Sequence, residues 1–397
     1  MPGGEHGLPR GGEEAALMVV GLLPALGGGI RELATTGQQS RLIDGYLRPY
    51  ARVFDRVYYF SYLQESLAEF TDDAALLERV TVLNPGRRQW RGWRARMMTR
   101  AHAAEFRDCG VLRVFQVTGV IPAIDANRRF GTPYVTTYGF SYGRLSRPGP
   151  KRWLKAVVER RGLRRAAAVI ATTEALRARA LSLGARRVEL IPNGVDTRLF
   201  APRAAAGARP PGAPRRILYV GRLSEEKNLS TVLWATPPVG AEVAARTGAG
   251  VQLVTVGSGP SKDELQLLAR KLGADAEFRD VVDHRSLPEV YGSADVFVLA
   301  SFTEGHPKVL LEAMACGLPC VASDCEGNRS IVTHEKTGLL FDPRSPEALA
   351  ACLVRVLTEP GLAAALSRAG RDLVVERYDL QRLVAREIAV LDDVGRR

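Results

Sequence analysis

The chain has 397 residues, a net charge of +12 and five cysteines. That length exceeds one domain of roughly 100–200 residues, so two domains are expected. With 46% hydrophobic and 25% charged residues, the composition excludes a disordered or fibrous chain.

The most apolar early stretch, residues 15–30, is interrupted by Pro24 and four glycines and is too short to span a bilayer. Glu13 and Glu14 precede it where a secretory leader would carry basic residues, so no leader is expected. Beyond it, short apolar runs alternate with longer amphipathic stretches, the signature of repeated βα units and parallel sheets. Strands are predicted over 16–23, 53–60, 111–115, 132–137, 168–172 and 188–191. After these, the Pro-, Gly- and Ala-rich segment 201–214 favours neither helix nor strand and reads as a linker. A second set follows over 216–220, 251–256, 281–282, 296–300 and 320–323. The predicted division is an N-terminal domain over 1–200 and a C-terminal domain over 215–375. Both are doubly wound, with ligands bound between them beyond the carboxyl ends of the strands. Cys109, Cys316, Cys320, Cys325 and Cys352 are odd in number and scattered, which fits a reducing cytoplasm and no disulfide framework. Their spacings match no zinc pattern.

The charge is concentrated. Residues 84–165 hold 19 Lys and Arg against 4 Asp and Glu, with Trp90, Trp93 and Trp153, three of the four tryptophans. Cations interleaved with indoles suit an anionic membrane surface. A solvated arginine-rich face is the plainer reading, and nucleic acid a less favoured one.

The densest chemistry begins at Val296. A buried strand there runs into the loop 301–306, and Pro307 opens a helix through Ala315. This arrangement aims free backbone N–H groups at the cleft as an anion site. Glu304 and Glu312 beside an anion site make sense as acceptors from ligand hydroxyls. A second strand–loop–helix, 219–228, offers Gly221 for close backbone approach and the cations Arg222 and Lys227 for a diphosphate. Gly28 and Gly29, after the first strand, let backbone close onto a phosphate from the other side. The segment 256–260 reads as a turn.

Together these residues resemble the GT-B retaining glycosyltransferases of the family 4 type, also described as glycosyl transferases group 1. The matching text is Ile191-Pro-Asn-Gly-Val-Asp196, Gly221-Arg-Leu-Ser-Glu-Glu-Lys-Asn228, Glu304-Gly-His-Pro-Lys-Val-Leu-Leu-Glu312 with its continuation to Pro319, and Thr337-Gly-Leu-Leu340. The resemblance implies two Rossmann-like domains facing across a cleft, with a last helix in 376–397 packing back on the N-terminal domain. It implies a nucleotide-diphosphate-sugar donor, held by Arg222 and Lys227 at the diphosphate, Glu312 at the ribose and Glu304 at the transferred sugar. The loop backbone from Gly305 through His306, Pro307, Lys308 and Val309 would surround that sugar, and Gly28 and Gly29 would touch the phosphate. No cofactor or metal is implied. The acceptor would be a sugar, lipid-linked or other hydroxyl of the cell envelope, reached in the cytoplasm or on the inner face of the membrane.

Two positions depart from the family pattern. Tyr138 stands where a histidine commonly lines the acceptor side, and a phenol of normal pKa can donate a hydrogen bond but is not a free base at neutral pH. Ser330 replaces a common acidic residue. These departures leave a rival open: a catalytically silent GT-B protein that binds a nucleotide or glycan, or serves as a partner subunit. A nucleotide-sugar epimerase on a similar fold would instead need acids in the cleft.

Overall fold

A computed structural model describes residues 18–84, 91–140, 150–202 and 212–397, so most of the predicted linker and Trp90 lie outside the described residues. Seven parallel strands form the first sheet: β1 (Val19–Leu23), β2 (Arg56–Phe60), β3 (Val80–Leu83), β4 (Val111–Val114), β5 (Tyr134–Tyr138), β6 (Ala168–Ala171) and β7 (Val188–Leu190). Their order is β3-β2-β1-β4-β5-β6-β7. Six more form the second: β8 (Arg215–Val220), β9 (Val251–Val256), β10 (Ala276–Arg279), β11 (Val296–Leu299), β12 (Cys320–Ser323) and β13 (Leu339–Phe341). These run β10-β9-β8-β11-β12-β13. In each sheet the order reverses at the central pair, β1/β4 and β8/β11, and the crevice beyond the strands' carboxyl ends opens there.

Central strands such as β6 (AVIA), β11 (VFVL) and β12 (CVAS) are buried at every position. Helices cover both faces of these sheets, so apolar runs replace alternation. The edge strand β10 (AEFR) is only half-buried and pairs Glu277 with Arg279 on one face. It corrects the strand predicted over 281–282. Those two valines follow the strand in a loop, where the Val282 carbonyl lies so close to Gly37 that a Cβ there would meet it at 2.2 Å.

The chain crosses between the domains twice. The helix Pro360–Arg377 places Leu366 and Val374 in the second domain's core. The helix Leu380–Gly395 then places Leu383, Val384 and Leu391 in the core of the first. The crossing is tied at Val195, whose N–H donates to Tyr378 O and whose carbonyl accepts from Leu380 N, each at 2.9 Å. Glu387 on that last helix is buried and takes a bidentate pair from Arg113 of β4 at 2.7 and 2.8 Å. Tyr50 donates a further hydrogen bond to it.

Candidate active site

Two loops of the second domain are braced against each other. After β8 the chain turns through Gly221, at φ +152°, and a short 3₁₀ turn at Glu225–Lys227. It then reaches Asn228, held in the left-handed region at φ +56°, a conformation a non-glycine residue adopts only when its surroundings demand it. The demand is visible: buried Asn228 donates from Nδ2 to Ala300 O at 3.1 Å and Pro343 O at 2.8 Å. Asn228 thereby fastens the cation-bearing loop to the end of β11. The Glu226 carbonyl also accepts from Phe302 N at 3.0 Å. The segment 256–260 supports this loop from behind: Leu223 N donates to Ser258 O at 2.9 Å, and a Cβ on Gly257 would stand 2.0 Å from Gly221 O.

The bracing brings Lys227 and Glu304 together, Nζ to Oε1 at 2.6 Å, across 77 residues of sequence. Ser301 donates to the same carboxylate oxygen at 2.7 Å. Behind it, Ser323 donates to Ser301 O at 2.6 Å, and Asn328 donates to Ser323 O at 2.8 Å. Arg222 is exposed on the same loop. Among the described residues its guanidinium has no hydrogen-bonded partner. The helix Lys308–Ala315 begins at Pro307, which offers no side-chain cap. Its first N–H groups thus stay available to an anion beside Glu304.

Glu312 is buried one turn further on. It sits 3.2 Å from His284 Nε2, 3.1 Å from the Tyr291 hydroxyl and 3.4 Å from Arg41 of the first domain. Burial alone would raise this carboxyl, but the His284 hydrogen bond and Arg41 outweigh it and hold it below the ordinary carboxylate range. His284, Tyr291 and Arg41 carry no motif of their own, and only the fold reveals them as partners. The signal available in the sequence is that His284 falls in the loop after β10, shortly before the strand β11 that leads into the motif helix. His306 turns away from solvent, with its ring 5.3 Å from Tyr378 and its carbonyl accepting from Asn193 at 2.7 Å. Burial pushes its imidazole down to about 3, so it is neutral, and its Nδ1 has no partner among the described residues.

Across the cleft, a cavity of about 270 Å³ lies beyond β1, β4, β5 and β6, with Gly28, Gly29, Gln116, Thr137, Asn193 and Lys308 in its wall. The helix after the glycines is already capped: Ile30 N and Arg31 N donate to Glu65 at 2.9 and 2.8 Å. Gly305 approaches Gly139 so closely that a Cβ would stand 2.2 Å from its carbonyl, which brings the two domains into backbone contact beside the site. Tyr138 is a correction. It is fully buried among apolar residues and donates to Glu159 at 2.6 Å, away from the cavity. Side chains alternate across a strand, so its neighbour Thr137 lines the cavity instead. Ser330 is exposed and bonds back to Gly327 O at 2.6 Å.

Residues 44–199 match the family described as Glycosyltransferase Family 4, and residues 204–373 match Glycosyl transferases group 1. A GDP-mannose-dependent alpha-(1-6)-phosphatidylinositol monomannoside mannosyltransferase of Mycobacterium tuberculosis is 33% identical over 228 residues, 53% of this chain and 58% of that protein. A GDP-mannose-dependent alpha-mannosyltransferase of the same species is 34% identical over 62% of this chain and 65% of its own length. The aligned part thus spans about half to two thirds of these curated relatives. Among solved structures, sucrose-phosphate synthase from Thermosynechococcus elongatus superposes with a TM-score of 0.78 at 22% identity, covering 95% of this chain and 99% of that one. Anabaena HepE, solved in complex with UDP and glucose, does so with a TM-score of 0.72 at 18% identity, covering 95% and 100%. These likenesses show that the two facing parallel-sheet domains form a GT-B fold. With both halves matched and the paired-glutamate block in place at the cleft, the chain belongs to the group 1, family 4 type glycosyltransferases.

Proposed function

We propose that this protein is a retaining glycosyltransferase that moves a sugar from a nucleotide-diphosphate donor to a hydroxyl of a glycan, lipid or other cell-envelope acceptor. The observation that carries the reading is the Lys227–Glu304 pair beside the uncapped start of the Lys308–Ala315 helix. One cation, one carboxylate and a row of backbone donors meet there, as a sugar diphosphate requires. Arg222 and Lys227 would neutralise the departing diphosphate, and aimed donors of this kind are worth roughly 10²–10³ in rate each. Glu304 would orient the transferred sugar through its hydroxyls, and Glu312 would accept from the ribose in exchange for part of its present contacts. The bond from the anomeric carbon to the diphosphate oxygen breaks while the acceptor oxygen bonds to that carbon on the same face. The acceptor's proton passes to the leaving diphosphate. The two cations and the helix start supply the charge compensation that this step needs, so the proposed chemistry uses no resident metal.

Relatives named for GDP-mannose and a structural neighbour holding UDP and glucose set the donors to try. Proton NMR of the first-formed product from an α-linked nucleotide sugar and a panel of hydroxyl acceptors is the test. An α-linked product is expected; a β-linked product overturns retention, and no transfer from any donor overturns the activity.

Among the described residues no single helix is long and apolar enough to cross a membrane. We place the reaction at the inner face of the cell membrane, reached through the basic segment 84–165. Trp153 and Leu154 on the helix Pro150–Arg165 are 69% and 57% exposed among arginines, which supports that contact. Cosedimentation with anionic but not neutral liposomes, weakened by salt, is expected. Equal binding to both, or to neither, contradicts it.

A further inference from the structure

Lys308 lines the first domain's cavity, where it joins a set of buried and half-buried charges drawn from four separate segments. Arg113 of β4 is paired with Glu387 of the last helix, and Arg41 lies 3.4 Å from Glu312. Lys308 lines the cavity and has no ion-pair partner among the described residues. Three cations therefore face two buried carboxylates, an uncompensated positive charge. Glu32, also in the wall, is solvent-exposed and serves as no buried counter-ion. A half-buried cation without an ion-pair partner is costly, and the cost is visible: desolvation first, then Arg41, pushes the Lys308 ammonium down to about 7. The opposite wall carries a second mark of a missing polar ligand. Thr172 is 3% exposed and lines the cavity, and its Oγ1 and that of Thr137 have no hydrogen-bond partner among the described residues. Buried hydroxyls are ordinarily satisfied.

We propose that this cavity is an acceptor subsite for a single anionic group, a phosphate ester or carboxylate carried by the acceptor, which pairs with Lys308 and accepts hydrogen bonds from Thr137 and Thr172. The inference rests on the transferase reading and narrows it: the acceptor is an anionic glycan or lipid headgroup rather than a neutral sugar. At about 270 Å³ the cavity falls just below the ~300–1,000 Å³ typical of ligand pockets. It suits one sugar- or glycerol-sized unit of a larger acceptor. The anion restores charge balance where the fold leaves a surplus, and it brings the neighbouring acceptor hydroxyl toward Gly305 and the donor's sugar.

The test is calorimetric titration of the full chain, saturated with whichever nucleotide diphosphate binds it, using glycerol 3-phosphate and glucuronate as anionic probes and glycerol and glucose as neutral ones. At least one anionic probe should bind tighter than its neutral counterpart by roughly tenfold, the worth of a charge-assisted hydrogen bond. Which probe wins separates a phosphate from a carboxylate acceptor. Lys308→Met should erase the preference and Lys308→Arg should keep it. Thr172→Val, a smaller change suited to the case in which the Lys308 variant does not fold, should weaken the preferred probe about threefold. Equal binding of anionic and neutral probes, or a preference that survives Lys308→Met and Thr172→Val, overturns the inference. Nucleotide binding measured in the same experiment keeps the two claims apart. No nucleotide binding sinks the donor site and this subsite together, whereas nucleotide binding without anion preference sinks the subsite alone.

Discussion

The second domain's wall of the cleft is already hydrogen-bonded as if its ligand chemistry were fixed. Asn228, Lys227, Glu304, Ser301, Ser323 and Asn328 form one connected set joining three strand ends. The first domain's wall differs: its glycine loop is capped internally by Glu65, and among the described residues two of its threonine hydroxyls lack partners, in a cavity that Lys308 of the second domain also lines without an ion-pair partner. A diphosphate and a ribose are common to many nucleotide sugars, so a preorganised wall serves any of them. On the proposed reading the acceptor is particular to each enzyme, and the groups that would recognise it await a partner.

That contrast can be broken in several places. The largest effect is expected where the last helix ties both walls together. Glu387→Ala leaves Arg113 buried without its partner and should cost about 3–5 kcal/mol of stability by denaturant unfolding. A loss under about 1 kcal/mol would show that this pair contributes little to holding the helix. Next, Lys227→Ala should lower kcat by roughly 10²–10³-fold with acceptor KM little changed, because its charge is used mainly as the diphosphate departs. A rise in acceptor KM alone would move Lys227 to the other wall. Gly257→Ala forces a side chain to within 2.0 Å of Gly221 O at φ +144°. It should cost more than about 1 kcal/mol and weaken nucleotide binding as the cation loop shifts. Stability lost without any change in nucleotide affinity would uncouple the two loops. The smallest effect is expected at Tyr138→Phe: about 1 kcal/mol of stability from the lost bond to Glu159, with turnover close to that of the parent protein. A large fall in kcat would return Tyr138 to the acceptor side.

The same contrast governs what the sequence revealed. Strands β9 and β12 occupy the predicted ranges because strands of covered parallel sheets are rich in β-branched and apolar residues. Three others escaped notice for local reasons. Strand β3 (VTVL) follows directly on the helix Ala74–Arg79 with no glycine or proline between. Strands β10 and β13 are short, and β10 is half polar. On the donor wall the motif residues are close in sequence, so their chemistry could be read together. Around the facing cavity only Lys308 comes from that motif, while Arg41, Thr137, Thr172 and Glu387 come from distant segments and share no spacing. Tyr138 and Thr137 show how little separates a right from a wrong reading there. They adjoin on β5, and the two-residue period of a strand sends one into the core and the other into the cavity.

The central claim is that the braced loops of the second domain bind a nucleotide diphosphate. The most direct measurement is the melting temperature of the full chain against UDP, GDP, ADP, CDP and TDP, with the Arg222→Ala/Lys227→Ala double variant alongside. A ligand at 100 times its dissociation constant stabilises a fold by about 2.7 kcal/mol, enough to raise the midpoint visibly. A rise with one base that vanishes in the double variant is the predicted result. No rise with any nucleotide, or a rise the double variant retains in full, would contradict it.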